Sequence, residues 1–563
     1  MFDFTKAQQE AIETLDRNVS VSAGAGSGKT RVLVERFVNI LRQSLRQGGK
    51  QVSAADILAI TFTRKAAGEM KERVRRRLAE LEQEDALHAS FWQQQLELLE
   101  QARINTIHGF CNSLLKENPV EAGLDPAFQV AEEVEMDEFL LRTVQQFVKQ
   151  GLRRGDSDIL RLADEYTAAD VVKQLLLAIP KMDAILNFGD LLQPYQAKMN
   201  EKNVLQGQLQ ELLLELAEDK MKVKASAHRQ KLELLREHLP ELLKAAADSS
   251  KSENMTLLDS YVGTLAATSS DKAVVKAAKE ILQQLHLLAA DAAALELIPC
   301  WQQALVACSA YLREQQELNN MLGFDDLESR ALELLKNNRQ VCSKNSSRYQ
   351  YIMVDEFQDT NERQRELVYL LCGGDKDMLL GHKLFVVGDA KQSIYRFRGA
   401  DVSVFARVRR DIAGAGGSNI VLDDNFRTVD KVLDLCNLAF AALLGEDRQQ
   451  DVYFEALNAN RATDILPEML AIAYDKESKA CRREAEAAVI AERILQLHTE
   501  KQIAYEDMVI LLGALTAAKS FASALQQAGI PYTIVDGKGF YERREIIDLI
   551  NLLIFLEDSS RSL

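Results

Sequence analysis

Cysteine is scarce in this sequence and never paired. The seven cysteines stand singly at positions 111, 300, 308, 342, 372, 436 and 481. Neither a disulfide framework nor a Cys-x-x-Cys metal site is expected, and the usage fits a reduced, cytoplasmic protein. No apolar run reads as long enough to span a bilayer, and the N-terminal MFDFTKAQQE has no signal-peptide character, so no membrane contact is expected. An excess of positive charge is also lacking. The 563 residues carry a net charge of −16, which taken alone argues against nucleic-acid binding. The average conceals a local exception: RKAAGEMKERVRRRL (64–78) is sharply basic. Alone, that helix would read as a solvated face. The hydrophobic content of 47% and charged content of 27% belong to a globular chain, and its length suits about three or four domains.

The clearest chemistry lies near the start. Asn18-Val19-Ser20-Val21 reads as a short buried strand, and Val32, Leu33, Phe37, Ile40 and Leu41 recur at helical spacing. Between them runs SAGAGSGKT (22–30). A glycine-rich loop joining a strand to a helix can fold its backbone N–H groups around phosphate oxygens, and the helix dipole points at the same anion. Lys29 adds a point charge and Thr30 a hydroxyl able to ligate Mg²⁺. The pattern places a first glycine where this chain has Ala23.

Three further strand-to-polar-loop units follow. Tyr351 to Val354 reads as a buried strand ending in Asp355-Glu356, where Asp355 could hold Mg²⁺ through water and Glu356 could activate a water. Leu384 to Val387 leads into Gly388-Asp389, with Gln392 placed to contact a γ-phosphate. Ile57 to Thr61 leads into Phe62 and Arg64 and so gives the basic helix a place at the same sheet edge. Aromatic and basic residues recur at Tyr395, Phe397 and Arg398, a combination suited to a single nucleic-acid strand. The expected fold class is α/β: a doubly wound parallel sheet holding ATP at one edge.

Seven stretches in order resemble superfamily-one helicases of the UvrD/Rep type: FTKAQQEAI (4–12), AGAGSGKTRVL (23–33), LAITFTRKAAGEMKERV (58–74), INTIHGFCNSLL (104–115), VDEFQDTN (354–361), VVGDAKQSIYRFRGAD (386–401) and LDDNFRT (422–428). Within that family, TIHGFC, GFDDLE (323–328) and GKGFYERREIIDLINLL (537–553) are most similar to AddA subunits of AddAB-type helicase–nucleases, with RecB subunits a near alternative. The resemblance implies RecA-like motor domains that use ATP and Mg²⁺. Gln8 would read the adenine edge, with Arg31 and Phe426 sandwiching the ring. Ala23, Gly24, Ala25, Gly26, Ser27, Gly28 and Lys29 would hold the phosphates, and Thr30 with Asp355 the Mg²⁺. Glu356 would activate water, Gln392 would sense the γ-phosphate and Arg427 would reach it from a second motor domain. Phe62, Arg64, His108, Tyr395, Phe397 and Arg398 would track single-stranded DNA. Phe426 stands where relatives usually have Tyr, and Phe397 where many have Trp.

The motif positions imply a first motor domain split into 1–118 and 321–424 around a helical insertion, 119–320, which carries no recognisable chemistry of its own. A second, incomplete motor domain is expected over 425–555, with strands at DMVILLGA (507–514) and YTIVDG (532–537). Residues 556–563 would start a second helical insertion. The family's later motifs, an arginine-bearing helix among them, and a nuclease domain with clustered acids are not in this sequence, so it reads as part of a longer protein. The resemblance implies 3′ to 5′ movement on single-stranded DNA, action on double-stranded DNA, an AddB-type partner and work in double-strand break repair. A module that binds Mg-ATP and DNA without efficient turnover stays open, whereas a transporter ATPase is disfavoured because no LSGGQ signature occurs.

Overall fold

In the computed structural model, the described residues are 4–46, 52–182, 189–217, 226–249, 251–265, 272–375, 377–445, 450–472, 479–535 and 544–557. They fall into two compact units: residues 1–428 with 436–461, and residues 429–435 with 462–563.

The first unit is built on a six-stranded sheet. Its strands are β1 (Val19–Ala23), β2 (Ile57–Thr61), β3 (Arg103–Thr106), β6 (Tyr351–Val354), β7 (Leu384–Gly388) and β8 (Ser418–Leu422), in the spatial order β3-β2-β6-β7-β1-β8. Every pairing is parallel, with Ile57 opposite Tyr351, Ile352 opposite Leu384, and Val19 between Phe385 and Ser418. Side chains alternate between faces along a strand, so a parallel sheet covered on both sides needs apolar residues at nearly every position. That is what the strands supply. Leu58, Ile60, Ile352, Val354, Leu384 and Val386 enter one core, while Ile57, Ala59, Met353, Phe385 and Val387 enter the other. The helix Lys29–Arg46 lays Val32, Leu33, Phe37, Ile40 and Leu41 into the second core.

Between β3 and β6 the chain leaves and re-enters the sheet through a two-stranded parallel ribbon, β4 (Gln129–Val130) beside β5 (Met321–Leu322). The segment between them is helical where described and packs as two cores. Val144, Val148, Ile159, Leu162 and Val171 meet Leu305 and Cys308 in one, and Leu209, Leu213, Leu235 and Leu258 meet Val275 and Leu282 in the other. Both cores share the helix Lys272–Leu318, which corrects one expectation. Its residues Ala273–Leu318 are long and apolar enough, with a mean hydropathy of 1.3, to cross a membrane by length and composition. Their apolar side chains are divided between these two protein cores, and Pro299 interrupts the backbone hydrogen-bond ladder.

The second unit packs the helices Lys479–Lys501 and Ala518–Gln527 around Ala491, Leu525 and Ile530. The strands expected at 507–514 and 532–537 do not form among its described residues: 508–514 and 532–535 carry no strand, and 536–537 lie outside them. A β-strand exists only through a neighbour that completes its ladder, and none pairs with either stretch there.

Candidate nucleotide site and nucleic-acid groove

The phosphate loop leaves the end of β1. Ala23 is the last strand residue, in extended backbone, so its position makes no demand for glycine. Gly26 does meet such a demand. Its φ is +79°, and a Cβ there would sit 2.7 Å from the Cβ of Arg427 and 2.9 Å from Oδ1 of Asn425. Ser27 is buried and donates its hydroxyl to the Gly24 carbonyl at 2.8 Å, tightening the turn. Lys29 and Thr30 then open the helix.

Gln8 reaches this loop from a separate helix, Lys6–Glu13. Thr5 and Gln8 form a capping box, and the Gln8 Nε2 donates to the Ser27 carbonyl at 2.8 Å. Arg31 stacks over the ring of Phe4, 4.1 Å from guanidinium carbon to ring centroid. Phe4, just outside the capping box, carries no signal of this role in the sequence. A second residue without such a signal is Asn425. It is buried and donates from Nδ2 to the Ala25 carbonyl at 2.6 Å, while the Phe426 N–H donates to the Gly26 carbonyl at 2.9 Å. The strand β9 (Asp424–Val429) thereby brings Phe426 and Arg427 to the phosphate loop, and the Arg427 side chain is exposed.

At the tip of β6, Glu356 adopts left-handed backbone angles, φ 50° and ψ 44°. A non-glycine residue rarely does so, and such strain gathers at functional sites. The turn aims the carboxylate at Lys29, whose Nζ lies 3.0 Å from Oε2. Asp355 sits behind it, deeply buried. Burial pushes its carboxyl up to about 6, the neighbouring Glu356 charge adds to the rise, and Lys29 opposes it. Asp359, buried on the same turn, is also pushed up to about 6 by burial and by Glu356. Gln358 ties this loop to the next one: its Nε2 donates to Glu356 and Asp359 at 2.9 and 3.2 Å, and its Oε1 accepts from the Asp389 N–H at 3.0 Å. Gln392 donates to Asp389 at 2.7 Å, so both loops form one hydrogen-bonded unit.

An anionic cluster of this kind fits a divalent cation, which would relieve the repulsion that holds Asp355 protonated. Asp355 and the Thr30 hydroxyl are the groups that would hold Mg²⁺, a hard cation that favours oxygen ligands.

The nucleic-acid candidates converge on a groove of about 840 Å³. Phe62, Arg64, His108, Tyr395 and Phe397 all line it, and so do Asp355 and Glu356, so the groove runs from the aromatic loops to the hydrolytic loop. Phe62 and Tyr395 lie with ring centroids 4.5 Å apart, and Tyr395 and Phe397 6.0 Å apart, a row of three rings. Phe397 is 79% exposed, so its face is open to a base. Arg398 ends the short turn Arg396–Arg398 beside them. The basic helix is a different matter. Beyond Arg64, Lys71, Arg73, Arg75 and Arg77 each lie against a glutamate, as on a solvated face.

Residues 4–413 match the UvrD/REP helicase N-terminal domain and residues 420–563 the UvrD-like helicase C-terminal domain, and the chain belongs to this helicase family. It is similar to proteins named as the AddA component of an ATP-dependent helicase/nuclease. The protein of Levilactobacillus brevis is 27% identical over 99% of this chain and 50% of its own length. That of Staphylococcus aureus (strain NCTC 8325) is 26% identical over 98% and 50%, and that of Geobacillus thermodenitrificans 27% over 99% and 51%. The chain thus spans about half the length of these curated relatives.

Proposed function

We propose that this chain is the motor part of an ATP-driven translocase that moves 3′ to 5′ on single-stranded DNA and separates duplex ahead of it. The observation that supports this best is the continuous groove from Phe62, Tyr395 and Phe397 to Glu356. Bases would stack on the aromatic row, and Arg64 and Arg398 would pair with phosphates. Residues 1–118 and 321–424 would form one motor domain around the insertion 119–320, and residues from 425 would begin the second.

Gln8 would read the adenine edge and Arg31 with Phe426 would flank the ring, while the loop 23–29 would cradle the phosphates. Mg²⁺ at Thr30 and Asp355 would neutralise charge between the phosphates. Lys29 now holds Glu356 at 3.0 Å. Phosphates entering the loop would draw Lys29 away and free the carboxylate. Glu356 would then take a proton from water as the water oxygen bonds to the γ-phosphorus and the bond to the bridging oxygen breaks, releasing ADP and phosphate. Gln392 would report the γ-phosphate and Arg427 would stabilise its developing charge.

By analogy with the relatives' name, the intact protein would be the helicase component of a cytoplasmic helicase–nuclease, working with an AddB-type partner in recombinational repair of double-strand breaks. Displacement of streptavidin from biotinylated oligonucleotides by the intact protein tests the motor reading. Displacement from the 5′ end with ATP, and not from the 3′ end, is expected. Equal displacement from both ends, or none, contradicts it.

A further inference from the structure

One carboxylate at the groove has no part in the chemistry above. Glu328 is 2% exposed, on the helix Phe324–Asn337 that follows the insertion. Its Oε1 lies 3.0 Å from Nε2 of His108, which belongs to the helix Ile107–Glu117 that precedes the insertion. The same carboxylate accepts from Gln364 Nε2 at 2.5 Å and from Asn361 Nδ2 at 3.2 Å. Asn361 caps the helix Glu362–Leu371, the first helix after the Asp355–Glu356 loop. Burial would raise the Glu328 carboxyl, but the hydrogen bonds from His108, Gln364 and Asn361 bring it below its ordinary value. A buried anion with its hydrogen-bond donors in place is costly to rearrange piecemeal, so the groups around it move together.

We propose that Glu328 is a positioning residue that couples the nucleic-acid groove to the hydrolytic loop. It joins His108 on the groove wall to the helix cap behind Glu356. A strand that displaces His108 would shift Asn361 and the loop before it, and nucleotide at that loop would shift His108 in return. The coupling is reciprocal by thermodynamic necessity. The inference rests on the groove being the DNA site.

The test is the affinity of fluorescent oligo(dT), read by anisotropy, with and without Mg²⁺ and the non-hydrolysable analogue adenosine 5′-(β,γ-imido)triphosphate. The wild-type ratio of the two affinities should fall in the common range of about 5–150-fold. Glu328→Gln and, as a second cut at the other end of the link, Gln364→Ala should each bring the ratio toward 1. Phe397→Ala should weaken both affinities and keep the ratio. An unchanged ratio in both link variants, with Phe397→Ala still weakening binding, overturns the coupling and leaves the groove standing. Oligo(dT) affinity indifferent to Phe397→Ala overturns the groove reading and the coupling with it. Should Glu328→Gln fail to fold, Gln364→Ala decides alone.

Discussion

Asp355→Asn should make the nucleotide-free protein more stable, and the gain should depend on pH. The folded carboxyl titrates near 6 against an ordinary value of 3.8, because burial and the Glu356 charge disfavour its ionised form. Below pH 3.8 the group is protonated in both states and costs nothing. Between 3.8 and about 6 the unfolded chain has released this proton and the folded protein still holds it, so stability falls as pH rises. Above about 6 the full penalty applies. At about 1.4 kcal/mol for each tenfold change in proton affinity, it amounts to about 3 kcal/mol. Asparagine has nearly the same shape and no charge to bury. Urea unfolding of the first unit's signal in EDTA should therefore show no gain for Asp355→Asn near pH 4 and up to about 3 kcal/mol at pH 7.5. Lys29, Glu356 and Asp359 face the same group, so the gain should shrink in a Glu356→Gln background. Mg-ADP should reverse the order, stabilising the wild type and leaving the variant nearly unmoved. A variant that is neutral or less stable than wild type at pH 7.5 in EDTA would refute the reasoning.

Lys29→Ala should abolish binding of a fluorescent ATP analogue, measured by titration, with the circular dichroism spectrum unchanged. Glu356→Gln should keep Mg-ATP binding and lower turnover in the intact protein by roughly 10²–10⁴-fold, read by phosphate release. Phe397→Ala should weaken oligo(dT) binding by about 1–3 kcal/mol, the usual worth of one stacked base, without lowering the melting temperature, because the ring is 79% exposed. Arg64→Ala should make the salt dependence of that affinity shallower by about 0.7 in a log–log plot, one phosphate contact on a single strand.

The chemistry of the sheet edge was legible because it is local. Ile57–Thr61 and Tyr351–Val354 form strands residue for residue as their unbroken apolar runs require, both faces being buried. The glycine loop, the carboxylates after β6 and the aromatic loops all follow directly from strand ends. What escaped the sequence depends on contacts between distant segments. Phe4 matters only because folding places it under Arg31. Glu328 looks like one acid among several in GFDDLE until His108, from the far side of the insertion, meets it in the buried state. The helix Lys272–Leu318 misleads in another way, since its composition alone cannot say that two separate protein cores absorb its apolar residues. The stretch at 507–514 has strand-like composition, but composition does not supply the neighbouring strand.

The central claim is that one groove serves both DNA and hydrolysis. Steady-state ATP hydrolysis by the intact protein, with and without saturating oligo(dT), tests it most directly. Turnover should rise sharply with oligo(dT), and the rise should be lost in Glu356→Gln and require more oligo(dT) in Phe397→Ala. Turnover that is indifferent to single-stranded DNA, or that Phe397→Ala leaves equally sensitive to it, would contradict the account.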